Sequence, residues 1–360
     1  MPLPFRAHAA RLAALALLPA ACQAATPATT APASSPVAVQ ALAQADSAML
    51  QGDARAALAA LAGVAAREFR GKDASERACL IERFDRATPP TLSTPVHDAF
   101  TGQLIEIYRA YWWRALRAPG EREAEDAGLL QRLRSLLGGS ASEAPDFDAL
   151  APALTARLQA AGYHALPAGR TPPLQELMIW RQQDSRDVTV LLPESVQPVR
   201  LVLLDDFVER GWSHYARCGH GSSAGWATPE GLYAVRPAYG DLEGERFRVS
   251  LLGHEAQHFA DYLRFPGLAS WELEYRAKLT ELALAETTQD HLLSRFGAAQ
   301  SDDLDSPHTY ANRRVLRALA ERLPQGVAQA GVAALQAAAK AALLDDSARR
   351  IAAQARAAAP

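Results

Sequence analysis

Residues 247–263 read Phe-Arg-Val-Ser-Leu-Leu-Gly-His-Glu-Ala-Gln-His-Phe-Ala-Asp-Tyr-Leu. Apolar residues recur along this stretch at i, i+4, i+7 and i+11, the spacing of one apolar stripe on an α-helix. The residues of the stripe are Leu252, Ala256, Phe259 and Leu263. The pattern therefore predicts a helix that packs this stripe against the core.

A different face of the same predicted helix carries His254, Glu255 and His258. Histidines at i and i+4 lie one above the other, about 6 Å apart, so both imidazoles can reach one tetrahedral ion. The carboxylate of Glu255 would lie beside that ion and not on it, where it could act as the general base for a water bound to the metal. The spacing therefore predicts His254 and His258 as metal ligands and Glu255 as a catalytic residue.

This His-Glu-x-x-His motif resembles that of the zincin metallopeptidases. His258 is followed by Phe-Ala-Asp-Tyr-Leu-Arg-Phe-Pro-Gly-Leu, without the glycine and third histidine of the metzincins, so that subclass is excluded. The gluzincins, which are thermolysin-like, take a glutamate from the next helix as third ligand. Here a second helix is predicted to begin near Ser270, a suitable N-cap. The glutamates that this helix offers are Glu272, Glu274 and Glu281.

Among these three glutamates we expect Glu274 to bind the metal, because it lies nearest the turn that folds the second helix back over the first. Glu272 lies in the first helical turn, where a carboxylate complements the helix dipole. Glu281 is two turns, about 11 Å, from Glu274, so only one of these two can be a ligand. Fifteen residues separate His258 from Glu274, fewer than in thermolysin-like enzymes, and Glu272 and Glu281 therefore stay open as alternatives.

Further roles are suggested by position and by the resemblance. Asp261, three residues after His258, is suited to orienting a ligand imidazole or a neighbouring backbone group. His308 and Tyr310 open another predicted helix and could donate a hydrogen bond to the oxyanion, as a His and a Tyr do in thermolysin-like enzymes. The segment 226–233 is a candidate for the strand at the edge of the cleft, which would pair with an extended substrate.

The resemblance covers about residues 174–320 and implies a secreted, zinc-dependent peptide hydrolase. On this interpretation His254, His258 and Glu274 hold Zn²⁺, Glu255 activates the water, and the partner is a peptide or protein substrate. The alternative is a cell-envelope binding or assembly factor in which the helical N-terminal half does the work and the metal site is structural or vestigial. The sequence leaves substrate specificity and oligomeric state open.

The predicted fold class is α+β and predominantly helical. Residues 37–165 form an expected helical domain, with helices at 99–116, 121–137 and 147–161 and with Tyr111, Trp112 and Trp113 in its core. Residues 170–357 form an expected zincin-like metallopeptidase domain with a small sheet, the His-Glu-x-x-His helix and C-terminal helices. Short β-branched and aliphatic runs at 174–181, 188–192 and 199–204 predict adjacent strands.

The first 36 residues differ from the rest of the chain. Arg6 and Arg11 precede the apolar run 12–18 and small residues, which predicts a signal peptide over residues 1–24. Cys22 fits a lipoprotein signal that ends before it, with a lipid anchor on this cysteine, and cleavage near Ala24 fits equally well. Residues 25–36 are a low-complexity linker. Either cleavage places the protein in the periplasm or cell envelope, as an outer-membrane lipoprotein or as a secreted protein.

Composition limits the classes of partner. The chain has 37 basic and 40 acidic residues among 360, a net charge of −3, so its overall charge does not favour nucleic acid. After Cys22 only Cys79 and Cys218 remain. In an oxidising compartment these two could form a disulfide, and buried free thiols are the equal alternative.

Overall fold

The computed structural model describes residues 33–92, 95–171, 173–221, 223–228, 230–304 and 306–357. The expected signal peptide and residues 25–32 of the expected linker lie outside these ranges. The last linker residues are structured: Ser34 Oγ accepts a hydrogen bond from the backbone N–H of Arg70, and Ser35 Oγ caps the first helix by accepting from Ala38 N–H. These two serines fall within the expected linker 25–36.

Six α-helices make up the described N-terminal half, and three of them match the predicted ranges to within a residue or two. Polar side chains at Asp53, Asp98 and Asp146 cap three of the six by accepting backbone N–H groups. Helix α3 was not predicted; it is rich in charged residues, and only two of its residues are buried apolar side chains. The helices are α1 (Pro36–Leu50), α2 (Ala54–Ala62), α3 (Gly71–Phe84), α4 (Ala99–Arg117), α5 (Arg122–Leu137) and α6 (Phe147–Ala160).

The described residues form a sheet of five strands in the order β1-β2-β3-β5-β4. All neighbours are antiparallel except β3 and β5, which are parallel. A short helix, α7 (Trp212–Ala216), follows β3. The strands are β1 (His164–Thr171), β2 (Leu174–Leu191), β3 (Val196–Arg210), β4 (Gly225–Thr228) and β5 (Gly231–Val235).

The strand predictions were right in place but wrong in extent. The run 174–181 and residues 188–191 of the second run belong to one long strand, β2, and the polar stretch between them is an exposed part of that strand paired with β3. Polar residues in a strand that faces water on both sides resemble a turn in the sequence, because the alternation of burial is absent there. β1 was not predicted at all, and the helical half ends before it.

The C-terminal part is helical. A three-residue helix, α8 (Glu245–Phe247), and a π-helical segment (Arg248–Gly253) run directly into α9, which carries the His-Glu-x-x-His motif. The expected second helix begins at Ser270, close to the predicted start, but its N-cap is Ala269 and not Ser270. The helices are α9 (His254–Arg264), α10 (Ser270–Leu284), α11 (Gln289–Ala298), α12 (Pro307–Ala320) and α13 (Val332–Ala357). This mixed, mostly helical architecture with a small sheet is consistent with the predicted α+β class.

Packing joins the two halves of the chain. In the core of the N-terminal helices, Tyr111 and Trp112 are fully buried and Trp113 nearly so, which confirms the predicted aromatic core. The same core includes Ile179 of β2 and Trp212 of α7, on the other side of the expected boundary at residues 165–170. A second core lies among α10–α13, and a third lies between the sheet and α9.

In the described part of the chain, no helix combines the length and apolarity that crossing a membrane requires.

The predicted apolar stripe on α9 is only partly correct. Ala256 is buried, but Leu263 is 77% exposed. The polar side of α9 is the more deeply buried one, with His254, Gln257, His258 and Asp261 among its buried residues. The reason lies outside the helix, because α10 packs a polar side of its own against it.

Cys79 of α3 and Cys218, just after α7, form a disulfide, which resolves the open question about these cysteines. It joins the helical half to the segment that leads into β4. Two ion pairs lie beside it: Arg217 Nη2 donates to Asp46 Oδ2 at 2.7 Å, and His220 Nδ1 lies 3.6 Å from Glu76 Oε2. The disulfide and these pairs hold this segment against α1 and α3.

We expect the double variant Cys79→Ser/Cys218→Ser to unfold more easily than the wild type, by about 2–5 kcal/mol, because a long loop is no longer closed in the unfolded chain. Urea unfolding followed by circular dichroism measures this difference. Dithiothreitol should shift the wild-type midpoint in the same direction and leave the double variant unchanged. An unchanged wild-type midpoint in dithiothreitol would contradict the prediction.

Candidate metal centre

The motif helix begins with an irregular turn. The backbone N–H of His254 donates to the carbonyl of Val249, five residues back, which is the hydrogen bond of a π-helix. Such turns are rare and often occur at functional sites, because they widen the helix and redirect the side chains that follow. Here the turn ends immediately before His254.

Three predicted ligands come together. His254, His258 and Glu274 each offer one ligand atom, and these atoms lie within 4.8 Å of one another, with all three residues buried. His254 Nε2 lies 3.6 Å from Glu274 Oε2, and His258 Nε2 lies 3.5 Å from Glu274 Oε1. Two ligand atoms about 2.0–2.1 Å from a tetrahedral zinc ion are roughly 3.4 Å apart, close to these two distances, which run to different oxygens of Glu274. The three residues could hold a metal ion.

Glu281, one of the alternatives for the third ligand, contacts the other nitrogen of His254. Its Oε1 lies 2.6 Å from His254 Nδ1, and both side chains are buried. A carboxylate on the second nitrogen fixes the imidazole tautomer and ring orientation and makes the metal-facing nitrogen more basic. Glu274 and Glu281 both contact His254, because a separation of two turns lets α10 place one carboxylate on each side of this imidazole.

The two carboxylates set the charge of His254. Burial by itself would lower the pKa of this imidazole, but the charges and hydrogen bonds of Glu274 and Glu281 outweigh burial and raise the pKa to about 10. The same contacts hold the pKa of Glu274 well below its usual value and lower the pKa of Glu281, although burial opposes both shifts. A proton on His254 thus compensates two buried carboxylates when no metal is bound, and a divalent cation would replace it.

Asp261 does not contact an imidazole in the described structure. Its carboxylate pairs with Arg276 Nε at 2.9 Å and accepts a hydrogen bond from Gln257 Nε2, also at 2.9 Å. Thr280 Oγ1 in turn donates to Gln257 Oε1 at 2.8 Å. Asp261 therefore connects α9 to α10, and Glu281 is the carboxylate that contacts the second nitrogen of His254.

Arg276 is fully buried and contacts three carboxylates from different parts of the chain. Besides Asp261, it reaches Asp346 of α13 at 2.9 Å and Glu194, in the turn between β2 and β3, at 3.2 Å. It also donates to Ser347 Oγ at 3.0 Å. This guanidinium ties α9, α10, α13 and the β2–β3 turn together behind the ligand group.

The remaining predicted residues occupy different positions. His308 Nδ1 lies 2.7 Å from Glu274 Oε2, so this histidine does reach the site, through the third ligand. Tyr310 packs its ring against Trp271, with centroids 5.1 Å apart, and Arg314 lies over both rings.

Two further charged residues of α10 lie near the site, Glu272 and Lys278. The Glu272 carboxylate accepts from Ala269 N–H at the helix start and pairs with Arg350, which gives it a structural role. Lys278 Nζ lies 3.5 Å from Glu274 Oε2 and adds a buried positive charge beside the ligand group. Lys278 was not predicted from the sequence, although its i+4 spacing from Glu274 was visible.

Strand β4 lies at the end of the sheet and next to α9. Among the described strands it pairs with β5 on one side only. A Cβ on Gly225 of β4 would come within 2.5 Å of Leu251 in the π-helical segment, so the strand and the motif helix approach closely here. The expected edge strand at 226–233 is thus two strands, β4 and β5, and β4 is the outer one.

Comparisons with known proteins add no identification. No protein-family model matches the chain, and no curated protein and no solved structure is significantly similar to it.

We expect purified protein to contain about one zinc ion per chain and Glu281→Gln to bind zinc about 10–100-fold more weakly, because His254 loses the charged partner that orients it. Competition with a fluorescent zinc chelator measures the affinity. The matched control is Glu286→Gln on the exposed loop after α10, which should bind like the wild type. Equal affinity in Glu281→Gln would show that this carboxylate does not support the ligand.

We expect Arg276→Met to lower the free energy of unfolding by about 3–5 kcal/mol, because it leaves buried carboxylates without a counter-charge at nearly unchanged side-chain volume. Arg349→Met is the control: Arg349 also contacts Asp346 but is largely exposed, so its loss should cost less than about 1 kcal/mol. Urea unfolding of both variants tests the difference. Similar losses in the two would mean that the buried network is not what stabilises the packing of α9 and α10.

Proposed function

We propose that this chain is an exported zinc-dependent metallopeptidase of the zincin type, with the gluzincin-like ligand set His254, His258 and Glu274. The observation that carries the proposal is the buried group of these three residues, with Glu255 next to the first ligand on the same helix. Two imidazoles and one carboxylate suit zinc, and three protein ligands leave a fourth coordination position open, as catalytic zinc sites do.

A zinc ion bound there would supply Lewis-acid polarisation of a water molecule and of the peptide carbonyl. The residues of the chain position the ligands and transfer the proton. Glu281 holds His254 by its second nitrogen, and His308 and Lys278 hold the Glu274 carboxylate. Glu255, which is only partly buried, takes a proton from the attacking water on a carboxylate oxygen and delivers it to the leaving amine.

The substrate in this proposal is a peptide or protein in extended conformation. Among the described strands, β4 offers a free edge beside α9, where an extended chain could add as a further strand and bring a peptide bond to the ligand group. The donor role predicted for His308 and Tyr310 stays a prediction. Export to the periplasm or cell envelope is supported by the Cys79–Cys218 disulfide, since such bonds persist in oxidising compartments.

The second candidate is a cell-envelope binding or assembly factor with a structural metal site. One observation favours it: His308 lies against Glu274 and could close the site as a fourth protein ligand. Structural zinc sites are closed by four protein ligands, whereas catalytic ones are not. Against it stands Glu255, because a structural site has no use for a base beside the ligands.

We expect Glu255→Gln to retain zinc and to lose peptidase activity by at least about 100-fold, because the amide cannot accept the proton. Activity is measured with labelled casein and a panel of quenched fluorescent peptides, and zinc by elemental analysis. Glu286→Gln should keep wild-type activity. The proposal fails if wild type and Glu255→Gln are equally inactive. A loss of zinc in His308→Ala would in that case identify the closed, structural site.

A further inference from the structure

Tyr262 continues the metal-binding side of α9 toward its C-terminal end. It follows His258 by four residues and Glu255 by seven. Residues seven apart on an α-helix lie within about 20° of the same face, two turns along. Tyr262 is therefore aligned with the proposed general base, with His258 between them.

The direction of the side chain brings the ring back toward the ligands. Helical side chains tilt toward the N-terminus of their helix, so a long residue covers the turn before its own Cα. The ring of Tyr262 lies over His258 accordingly, with ring centroids 6.4 Å apart and planes tilted by 32°. The ring of Tyr262 thus covers the helical turn that carries His258.

Tyr262 also marks the boundary between the ligand group and solvent. It is 54% exposed, whereas His254 and His258 are 9% and 7% exposed. Packing in the core does not explain its position, because more than half of the side chain faces water.

The phenol O–H of Tyr262 can donate a hydrogen bond, as tyrosine hydroxyls do in the neutral range.

The other candidate donors are placed less favourably. His308 directs Nδ1 to Glu274, and Tyr310 packs on Trp271. Tyr239 also experiences the charge of Glu255, but it is almost fully buried and packs edge-on against Phe247. Tyr262 combines a hydrogen-bond donor, a position on the same helix face as Glu255 and access from solvent.

We infer that Tyr262 is a catalytic residue of the proposed peptidase, whose hydroxyl donates a hydrogen bond to the carbonyl oxygen of the scissile peptide bond as that oxygen gains negative charge. This inference rests on the proposed function. It assigns the oxyanion-donor role to a residue of the motif helix itself, whereas His308 and Tyr310 lie on α12.

The test is Tyr262→Phe in the full-length protein, which removes only the hydroxyl. We expect kcat on a quenched fluorescent peptide to fall about 100-fold while KM changes little, because the bond forms mainly in the transition state. Zinc content and the urea unfolding midpoint should stay at wild-type values. Binding of a peptidyl phosphonate, whose tetrahedral anion resembles the charged oxygen, should weaken by a similar factor.

Leu263→Ala is the matched control, because Leu263 is the next residue, is more exposed and points to another side of α9. It should keep wild-type kcat. Wild-type kcat in Tyr262→Phe would overturn the inference while leaving the peptidase proposal intact, and so would a loss of zinc or stability parallel to the loss of activity. If wild type and Glu255→Gln are both inactive, the proposed function fails, and the inference fails with it.

Discussion

The contact between α9 and α10 is made largely of polar and charged side chains, and it is buried. Moving such groups out of water is unfavourable unless each finds a partner of suitable charge or hydrogen-bonding capacity. The two helices meet this requirement in matched pairs: Asp261 with Arg276, Gln257 with Thr280, and His254 with Glu281. Register between the helices is set by these pairs, because a shift of one residue would leave buried charges without partners.

The ligand group occupies the part of this interface where charged and titratable side chains are most concentrated. His254 lies between two carboxylates, and Glu274 is contacted by His254, His258, His308 and Lys278 at distances from 2.7 to 3.6 Å. His258 Nδ1 is buried and finds no partner among the described residues. The site contains two nearby buried carboxylates. A divalent ion compensates their negative charge better than a single proton does.

Long-range contacts hold this interface in place. Arg276 connects it to the β2–β3 turn through Glu194 and to α13 through Asp346, so segments far apart in sequence meet at one guanidinium. The N-terminal helices share a core with β2 and α7, and the disulfide fixes the segment that precedes β4. The helical half thereby supports the sheet edge that lies beside α9, which gives this half a structural role in the proposed enzyme.

Local geometry explains how much could be predicted from sequence. The helical half, the buried Tyr111 and Trp112, and the helix that begins at Ser270 follow from periodicity and breaking residues, which act over a few positions. The full length of β2 and the presence of β1 were not predicted, because pairing with the neighbouring strand of a hairpin, and not the local pattern, holds these residues in extended form. The exposure of Leu263 likewise depends on which side of α9 its neighbours cover.

For the site, the spacing His254-Glu255-x-x-His258 by itself determined that two imidazoles share one helix face with a carboxylate beside them, because 3.6 residues per turn is a property of the backbone. Only the tertiary structure decided which glutamate of α10 joins them, that Glu281 holds His254 instead, and that Asp261 pairs with Arg276. Those assignments depend on the register between two helices, and the buried charges that set this register come from residues far apart in the chain.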